Sequence, residues 1–458
     1  MQVLLTHGYF LNEDEVEKKI MKPYPPIGLL YISGFLEEKG IEHSVFDTTF
    51  SSFDKLIRQI NSQQPDFLGV YVNFLTRKNV LKIIGHIKNG KNSGKTKVVL
   101  GGPDVRFYTE NYLASGADFV VIGEGEVTFY ELLTHEISGR KLSEIEGLAW
   151  MEDGKIKINR ERIHLRELDS LPLPNRKKID IEQYLQAWKS NHGYSSITVS
   201  TQRGCPYTCR WCSHTVFGDT YRRRSPASVT TELKMIKKDY NPDSIWFVDD
   251  VFTMSERWMM DFQKELNDEE LSIGYECITR ADKLSENIIG VLNETGCHTL
   301  WIGAESGSQR VIDLMDRRVD VKHVRQMIKL ARQYGIKAGT FIMLGYPGEN
   351  LKDIRETIAH LKESNPDVFT INKAYPIKGT KMYDEVRDYI IDNPSWKEVP
   401  DKDIDFKRTY GRRFYDFAIR KIYNEVNSHK NRLKKNYAGY FKYKIKSTVA
   451  GLGMLMTK

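Results

Sequence analysis

Three cysteines fall within eight positions of the stretch STQRGCPYTCRWCSH: Cys205, Cys209 and Cys212, spaced Cys-x3-Cys-x2-Cys. The whole chain of 458 residues has only five cysteines, an odd number for disulfides. In a reducing compartment, thiols clustered this closely are metal ligands more often than disulfide partners. Three thiolates can hold three irons of a four-iron, four-sulfur cluster, whose usual complement is four cysteines. The fourth iron then keeps an open position for a ligand from outside the protein. Spacing alone leaves two other readings open. Structural zinc wants four closed ligands. His214 could be the fourth, but no second ligand pair follows along the chain. A redox-active loop is the other reading. Cys277 and Cys297 stand alone and read as ordinary buried thiols.

The elements around this loop say where such chemistry would sit. A β-like run at 196–200 leads directly into it, and further runs at 244–248, 274–279, 299–302, 338–343 and 368–372 read as strands. Each of the first five is followed by a helix-like stretch. Six β/α units in about 190 residues predict a partial (β/α)6 barrel of TIM type, since eight units take about 250. Barrel active sites lie at the carboxyl ends of strands, which is where the cysteine loop falls.

The first part of the chain alternates as well. β-like runs at 3–5, 43–47, 67–73, 97–100 and 119–122 are interleaved with helical patterns at 27–39, 53–61, 80–88 and 128–137. This predicts a parallel sheet with helices on both faces, a Rossmann-like domain that binds ligands at its strand ends. Gly101 and Gly102 of VVLGGPD, and Gly123 and Gly125 of VVIGEGE, fall at such ends. Small residues there let the backbone approach a flat or bulky ligand. The stretch LAWMEDGKIKI at 148–158 reads as a hairpin turning at Asp153-Gly154. The segment 164–191, with LPLPN and few regular signals, reads as a linker. The expected organisation is an α/β chain with domains at 1–140, a hairpin and linker at 141–191, the barrel at 192–392 and a basic helical region at 393–458.

Composition excludes several classes. Hydrophobic content of 40% and charged content of 28% are those of a globular protein, not a disordered one. The N-terminal MQVLLTHGYF has no basic n-region, so it does not read as a signal peptide. No apolar run reaches the roughly 18–20 residues of a membrane helix, and the expected location is the cytoplasm. Net charge is +7, unevenly placed. After Glu425 there is no acidic residue, while Lys430, Arg432, Lys434, Lys435, Lys442, Lys444, Lys446 and Lys458 follow. The plainest reading of that tail is a solvated helical cap on the barrel. An acidic or protein partner, and weak contact with a membrane surface, are the alternatives. No nucleic-acid partner is expected, because the charge is not concentrated on the barrel elements and no RNA-binding module is present.

The cysteine loop, with its aromatic residue before the third cysteine, resembles the radical S-adenosylmethionine (SAM) enzymes, and the resemblance continues strand by strand. In that family the open iron chelates the amino and carboxylate groups of SAM, whose reductive cleavage gives methionine and a 5′-deoxyadenosyl radical. The resemblance implies cluster ligation by Cys205, Cys209 and Cys212, with Trp211 against the adenine. Asp249 and Asp250 of WFVDDVF stand at the motif that contacts the SAM amino group, here Val-Asp-Asp where Gly-Gly-Glu is common. Glu276 and Arg280 of ECITRAD, Glu305 of WIGAESGS, and Leu344 and Gly345 of FIMLGYPGE complete the implied SAM contacts.

The N-terminal half is similar to the cobalamin-binding domain that precedes this barrel in one subfamily, which includes the anaerobic magnesium-protoporphyrin ester cyclase and many C- and P-methyltransferases. The resemblance spans roughly residues 1–390. It implies a cobalamin site at Tyr71, Asn73, Leu75, Thr76 and Arg77, at Gly101, Gly102 and Pro103, and at Gly123, Glu124, Gly125 and Glu126. Methionine-synthase-type domains carry Asp-x-His-x-x-Gly, whose histidine coordinates cobalt. Here Leu5 stands at the aspartate position, so His7 is expected to be a loop residue and not a ligand.

The implied cofactors are a 4Fe-4S cluster, SAM and cobalamin, reduced by an external donor of flavodoxin or ferredoxin type. The expected activity is C-methylation of an unactivated carbon in a peptidyl residue, or in a natural-product or lipid molecule. The radical takes a hydrogen, methylcobalamin donates the methyl group, and a second SAM remethylates the cobalt. The alternative is an oxidase, cyclase or rearranging enzyme without methyl transfer. A non-catalytic cluster or cobalamin carrier is a third reading, opposed by the full set of SAM-motif positions.

Overall fold

A computed structural model describes residues 1–90, 94–391 and 395–458. The first sheet is built from β1 (Val3–His7), β2 (His43–Phe46), β3 (Phe67–Tyr71), β4 (Lys97–Gly101) and β5 (Phe119–Val121), all parallel. The hairpin β6 (Leu148–Glu152) and β7 (Lys155–Ile158) joins antiparallel at one edge, giving the order β2-β1-β3-β4-β5-β6-β7. Asp153 and Gly154 turn the hairpin with φ of 50° and 72°, the left-handed pair of a type I′ turn. The helices between these strands are α1 (Glu15–Ile20), α2 (Ile27–Glu38), α3 (Phe53–Gln63), α4 (Arg77–Asn89), α5 (Val105–Ala114) and α6 (Gly125–Ser138).

Strand periodicity explains why the sheet is buried twice. Successive side chains point to opposite faces. Leu4, Leu68, Val70, Val98, Leu100 and Val120 enter one core, while Val3, Leu5, Val99 and Val121 enter the other. Each such side chain contributes about 1.5–3 kcal/mol of burial.

The rest of the chain begins with α7 (Ile181–His192) and β8 (Ser196–Val199), followed by two short strands, β9 (Gln202–Arg203) and β10 (Arg222–Arg223), paired antiparallel. Then come α8 (Pro226–Asp239), β11 (Ser244–Phe247), α9 (Glu256–Asp268), β12 (Tyr275–Thr279) and α10 (Glu286–Glu294). After them follow β13 (Cys297–Glu305), α11 (Gln309–Leu314), α12 (Val321–Gln333), β14 (Lys337–Leu344), α13 (Leu351–Ser364) and β15 (Val368–Lys373). The chain closes with α14 (Lys381–Val386), α15 (Arg412–Leu433) and α16 (Tyr437–Met456). The sheet order β15-β14-β13-β12-β11-β8 follows chain order, with β12 to β15 parallel. Polar caps start the helices. The Ser225, Ser255 and Ser285 hydroxyls each accept a first-turn N–H, and Asn350 with Asp353 forms a capping box.

Two compact units result. One comprises Met1–Pro206, His214–Trp246 and Ser395–Pro400; the other comprises Tyr207–Ser213, Phe247–Pro394 and Asp401–Lys458. The expected domain boundary at 392/393 lies outside the described residues.

Fold class and the strands of the two large sheets agree with the sequence reading, but the short β9–β10 pair is absent from it, and the stretch read as a linker holds a helix. α7 is capped by Asp180, whose carboxylate accepts from Gln183 N. Its residues Ile181, Tyr184, Leu185 and Trp188 are buried at helical spacing, a signal hidden behind the prolines of LPLPN. α5 is also absent from the sequence reading. It is kinked at Tyr108, and its apolar and polar residues alternate too irregularly to mark one face.

Candidate active site

In the first unit, the loop after β3 is tied by its own side chains. Asn73 Oδ1 accepts from Leu75 N at 2.9 Å and Thr76 N at 3.0 Å, and Asn73 N donates to Thr76 Oγ1. This leads the chain into α4. Burial raises the Tyr71 phenol above its ordinary range. The buried Arg77 guanidinium is committed to Asp104, through Nε at 2.9 Å and Nη2 at 2.6 Å, and lies 4.4 Å over the Tyr108 ring. Of these loop residues Leu75 is the exposed apolar one, at 38%.

At the end of β4, Gly102 has φ of +118°, and a Cβ there would stand 2.4 Å from Val72 O. Only glycine fits, which keeps the ends of β3 and β4 close and leads into Pro103 and the Asp104 that Arg77 holds. After β5, Gly123 has φ of +89° and Gly125 opens α6.

The carboxylates of the GEGE stretch point to a partner absent from the sequence reading. Arg203 Nη1 donates to Glu124 Oε1 at 2.8 Å, and its Nη2 donates to Glu126. Arg222 Nη1 bridges both oxygens of Glu124 at 2.9 Å, and Leu165 N donates to Oε2 at 3.1 Å. Burial alone would raise the Glu124 carboxyl, but the two guanidiniums outweigh it and hold it below the usual range. Arg203 sits two positions before Cys205. Between them Gly204, at φ of +82°, would bring a Cβ within 2.4 Å of Thr220 O. The approach to the cysteine loop is therefore fixed by an ion-pair network and a required glycine. The signal for it was the basic run Arg222–Arg224, which pairs β10 with β9.

His7 is not a loop residue but the last residue of β1, and it is buried. Its Nε2 meets Asp47 Oδ1 at 2.8 Å, and Nδ1 accepts from Tyr9 N at 3.2 Å. His214 is paired with Asp219.

In the second unit the loop backbone is held at Arg210, whose N donates to Met315 O at 3.1 Å and whose O accepts from Met382 N at 2.8 Å. Cys209 is buried and Cys212 exposed, as Cys205 of the first unit is buried. Cys209 Sγ accepts from Arg280 Nη1 at 3.6 Å. The same guanidinium stacks 3.6 Å from the Tyr207 ring, pairs with Asp282 and donates to Arg317 O at 2.7 Å. Arg317, absent from the sequence reading, lies 5.6 Å from the Trp211 ring and 3.6 Å from Glu305. Glu305 ends β13 in a left-handed conformation, φ +62°, and burial raises its carboxyl above the usual range. Glu276 accepts from Trp301 Nε1 at 3.2 Å. Asp249 is buried and Asp250 exposed. Leu344 ends β14, and Gly345, with φ of +76°, donates its N–H to Glu349 Oε2 at 2.6 Å. Burial pushes Glu349 up to about 8.

Comparison with known proteins agrees with this layout. The family described as Radical SAM superfamily matches residues 199–361, and the B12 binding domain matches residues 18–133. An uncharacterized methyltransferase of Pyrococcus horikoshii is 29% identical over 81% of this chain and 81% of its own length. The anaerobic magnesium-protoporphyrin IX monomethyl ester cyclase of Rubrivivax gelatinosus is 23% identical over 85% of this chain and 71% of its own. The cobalamin-dependent SAM radical enzyme OxsB, solved with aqua-cobalamin bound, shares the fold with a TM-score of 0.77 and 17% identity, over 98% of this chain and 72% of its own. A B12-binding sheet followed by a radical SAM barrel makes this chain a member of the cobalamin-binding radical SAM family, an enzyme whose cofactors are a 4Fe-4S cluster, SAM and cobalamin.

Proposed function

We propose that this enzyme is a C-methyltransferase acting on an unactivated carbon of a peptidyl residue or of a natural-product or lipid molecule. The observation that carries the reading is the pairing of both domains in one chain with a relative named methyltransferase across 81% of it. When bound, the cluster with SAM supplies a hydrogen-abstracting radical, and cobalamin supplies the methyl group.

The residues present suit these groups. Among the described residues, no group of three His, Cys, Asp or Glu side chains is placed to hold a single metal ion. A cluster instead spreads its thiolates over separate irons. Cys205, Cys209 and Cys212 are the proposed ligands. Arg280 sets a buried positive charge beside the Cys209 sulfur, the sign that an anionic thiolate requires. Trp211, Asp249, Asp250, Glu276, Arg280, Glu305, Leu344 and Gly345 are the proposed SAM contacts, with Arg317 orienting both Trp211 and Glu305. On the cobalamin side, the side chains of Glu124, Glu126 and Arg77 are held by ion pairs. Those positions would therefore offer backbone to the corrin, together with Gly101, Gly102, Pro103, Gly123 and Gly125. Tyr71, Asn73, Leu75 and Thr76 would offer the loop surface.

Anaerobic incubation of the reconstituted enzyme with reductant, SAM and a candidate substrate tests the reading. Methyl transfer yields 5′-deoxyadenosine, S-adenosylhomocysteine and a product heavier by one methylene unit. Deoxyadenosine without S-adenosylhomocysteine would instead favour a cyclase or oxidase, the reading that the cyclase relative supports.

A further inference from the structure

α16 turns a line of large apolar side chains to solvent. Tyr437, Phe441, Ile445, Val449, Leu452 and Met456 are between 57% and 87% exposed. Their spacing of three and four residues places them within about 120° of the helix circumference, a single stripe about 30 Å long. The stripe cannot be rolled inward. On the opposite face Ser447, Ala450, Gly453 and Met454 are buried. A Cβ at Gly453 would stand 2.5 Å from the Phe417 ring of α15. Glu425 of α15 accepts from Ser447 Oγ at 2.6 Å and from Lys444 Nζ at 2.9 Å, which fixes the rotation of α16.

The border of the stripe is cationic. Lys442 and Lys446 are exposed along one edge. At the turn before α16, Arg432, Lys434 and Lys435 are exposed around Leu433, itself 57% exposed. No acidic residue follows Glu425, and Glu425 is already matched by Lys362 and Lys444. A second copy of this chain packed antiparallel on the stripe would bring lysine edges against each other. An anionic bilayer answers both features: apolar side chains enter the headgroup boundary while ammonium groups meet lipid phosphates. Among the described residues no helix is long and apolar enough to cross a membrane, so α16 would lie in the interface plane.

We propose that α16 docks this enzyme on anionic lipid membranes. The proposal goes beyond the methyltransferase reading and does not depend on it. The test is flotation of the full, cofactor-reconstituted chain with vesicles of phosphatidylglycerol and phosphatidylcholine in equal parts, against pure phosphatidylcholine vesicles. The parent is expected to float with the anionic vesicles, about tenfold more weakly with the neutral ones, and more weakly at high salt. The triple variant Phe441→Ser, Ile445→Ser, Leu452→Ser should lose about tenfold or more of the binding while its circular dichroism and SAM cleavage stay unchanged. The pair Lys442→Glu, Lys446→Glu should lose the preference for anionic vesicles. A parent that stays out of the vesicle fraction overturns the proposal, as does a triple variant that binds like the parent. A dimer in solution that the triple variant dissolves, without vesicle binding, assigns the stripe to a second copy and overturns it too.

Discussion

Arg203 joins two stretches of sequence that look unrelated. It is buried, and its guanidinium holds the carboxylates of both Glu124 and Glu126. Replacing it with Met leaves two buried carboxylates short of a partner, at a cost of about 3–5 kcal/mol. The Arg203→Met enzyme is expected to melt earlier and to retain less cobalamin after gel filtration. The ion pair also sets a pH dependence. Glu124 is held below the usual carboxylate range when folded, so its contribution is present above the unfolded value near 4.3 and is lost as pH falls through the lower folded value. Cys209→Ala should abolish 5′-deoxyadenosine formation while cobalamin stays bound, seen in the visible spectrum.

His360 makes a separate prediction at the same scale. Burial, and then the nearby Arg325, lower its imidazole to about 3, and its Nδ1 accepts from Arg325 Nε at 3.2 Å. The folded protein keeps this ring neutral while the unfolded chain protonates near 6.5, so the stabilisation is complete above 6.5 and declines below it. Stability should fall by about 2 kcal/mol between pH 6.5 and 5 from this group alone. His360→Leu should remove that part of the pH slope, measured by denaturant unfolding across the range.

Among elements, α15 and α16 are tied together through Glu425. Burial would raise the Glu425 carboxyl, but hydrogen bonds from Lys362, Ser447 and Lys444 outweigh it and bring it to about 2. Glu425→Gln weakens the lock by about 2 kcal/mol, enough for roughly thirty-fold faster hydrogen exchange of the α16 amides near neutral pH. As pH falls toward 2 the parent should approach the variant, because the protonated carboxyl loses the same ion pairs. The strands were legible element by element, since Val- and Ile-rich runs such as KVVL and FVV report themselves locally. α7 was not, because the prolines of LPLPN just before it mark the stretch as a linker, although Ile181, Tyr184, Leu185 and Trp188 fall at helical spacing.

For the whole molecule, the two domains divide the expected chemistry. Enzyme reconstituted without cobalamin should still cleave SAM to 5′-deoxyadenosine. It should form no methylated product and no S-adenosylhomocysteine, as read by mass spectrometry. That division was visible in one dimension. The spacing of Cys205, Cys209 and Cys212, the strand-end glycines and the alternation of strands and helices are local patterns, and local patterns survive in sequence. Tertiary structure alone decided that Glu124 belongs to Arg203, 79 positions away, and that His7 closes on Asp47 at a strand end. It also decided that α16 buries its small residues and shows its large ones. Each of these is a choice of partner between distant segments. Such choices depend on which faces and charges the fold brings within reach, and no window along the chain contains both members of the pair.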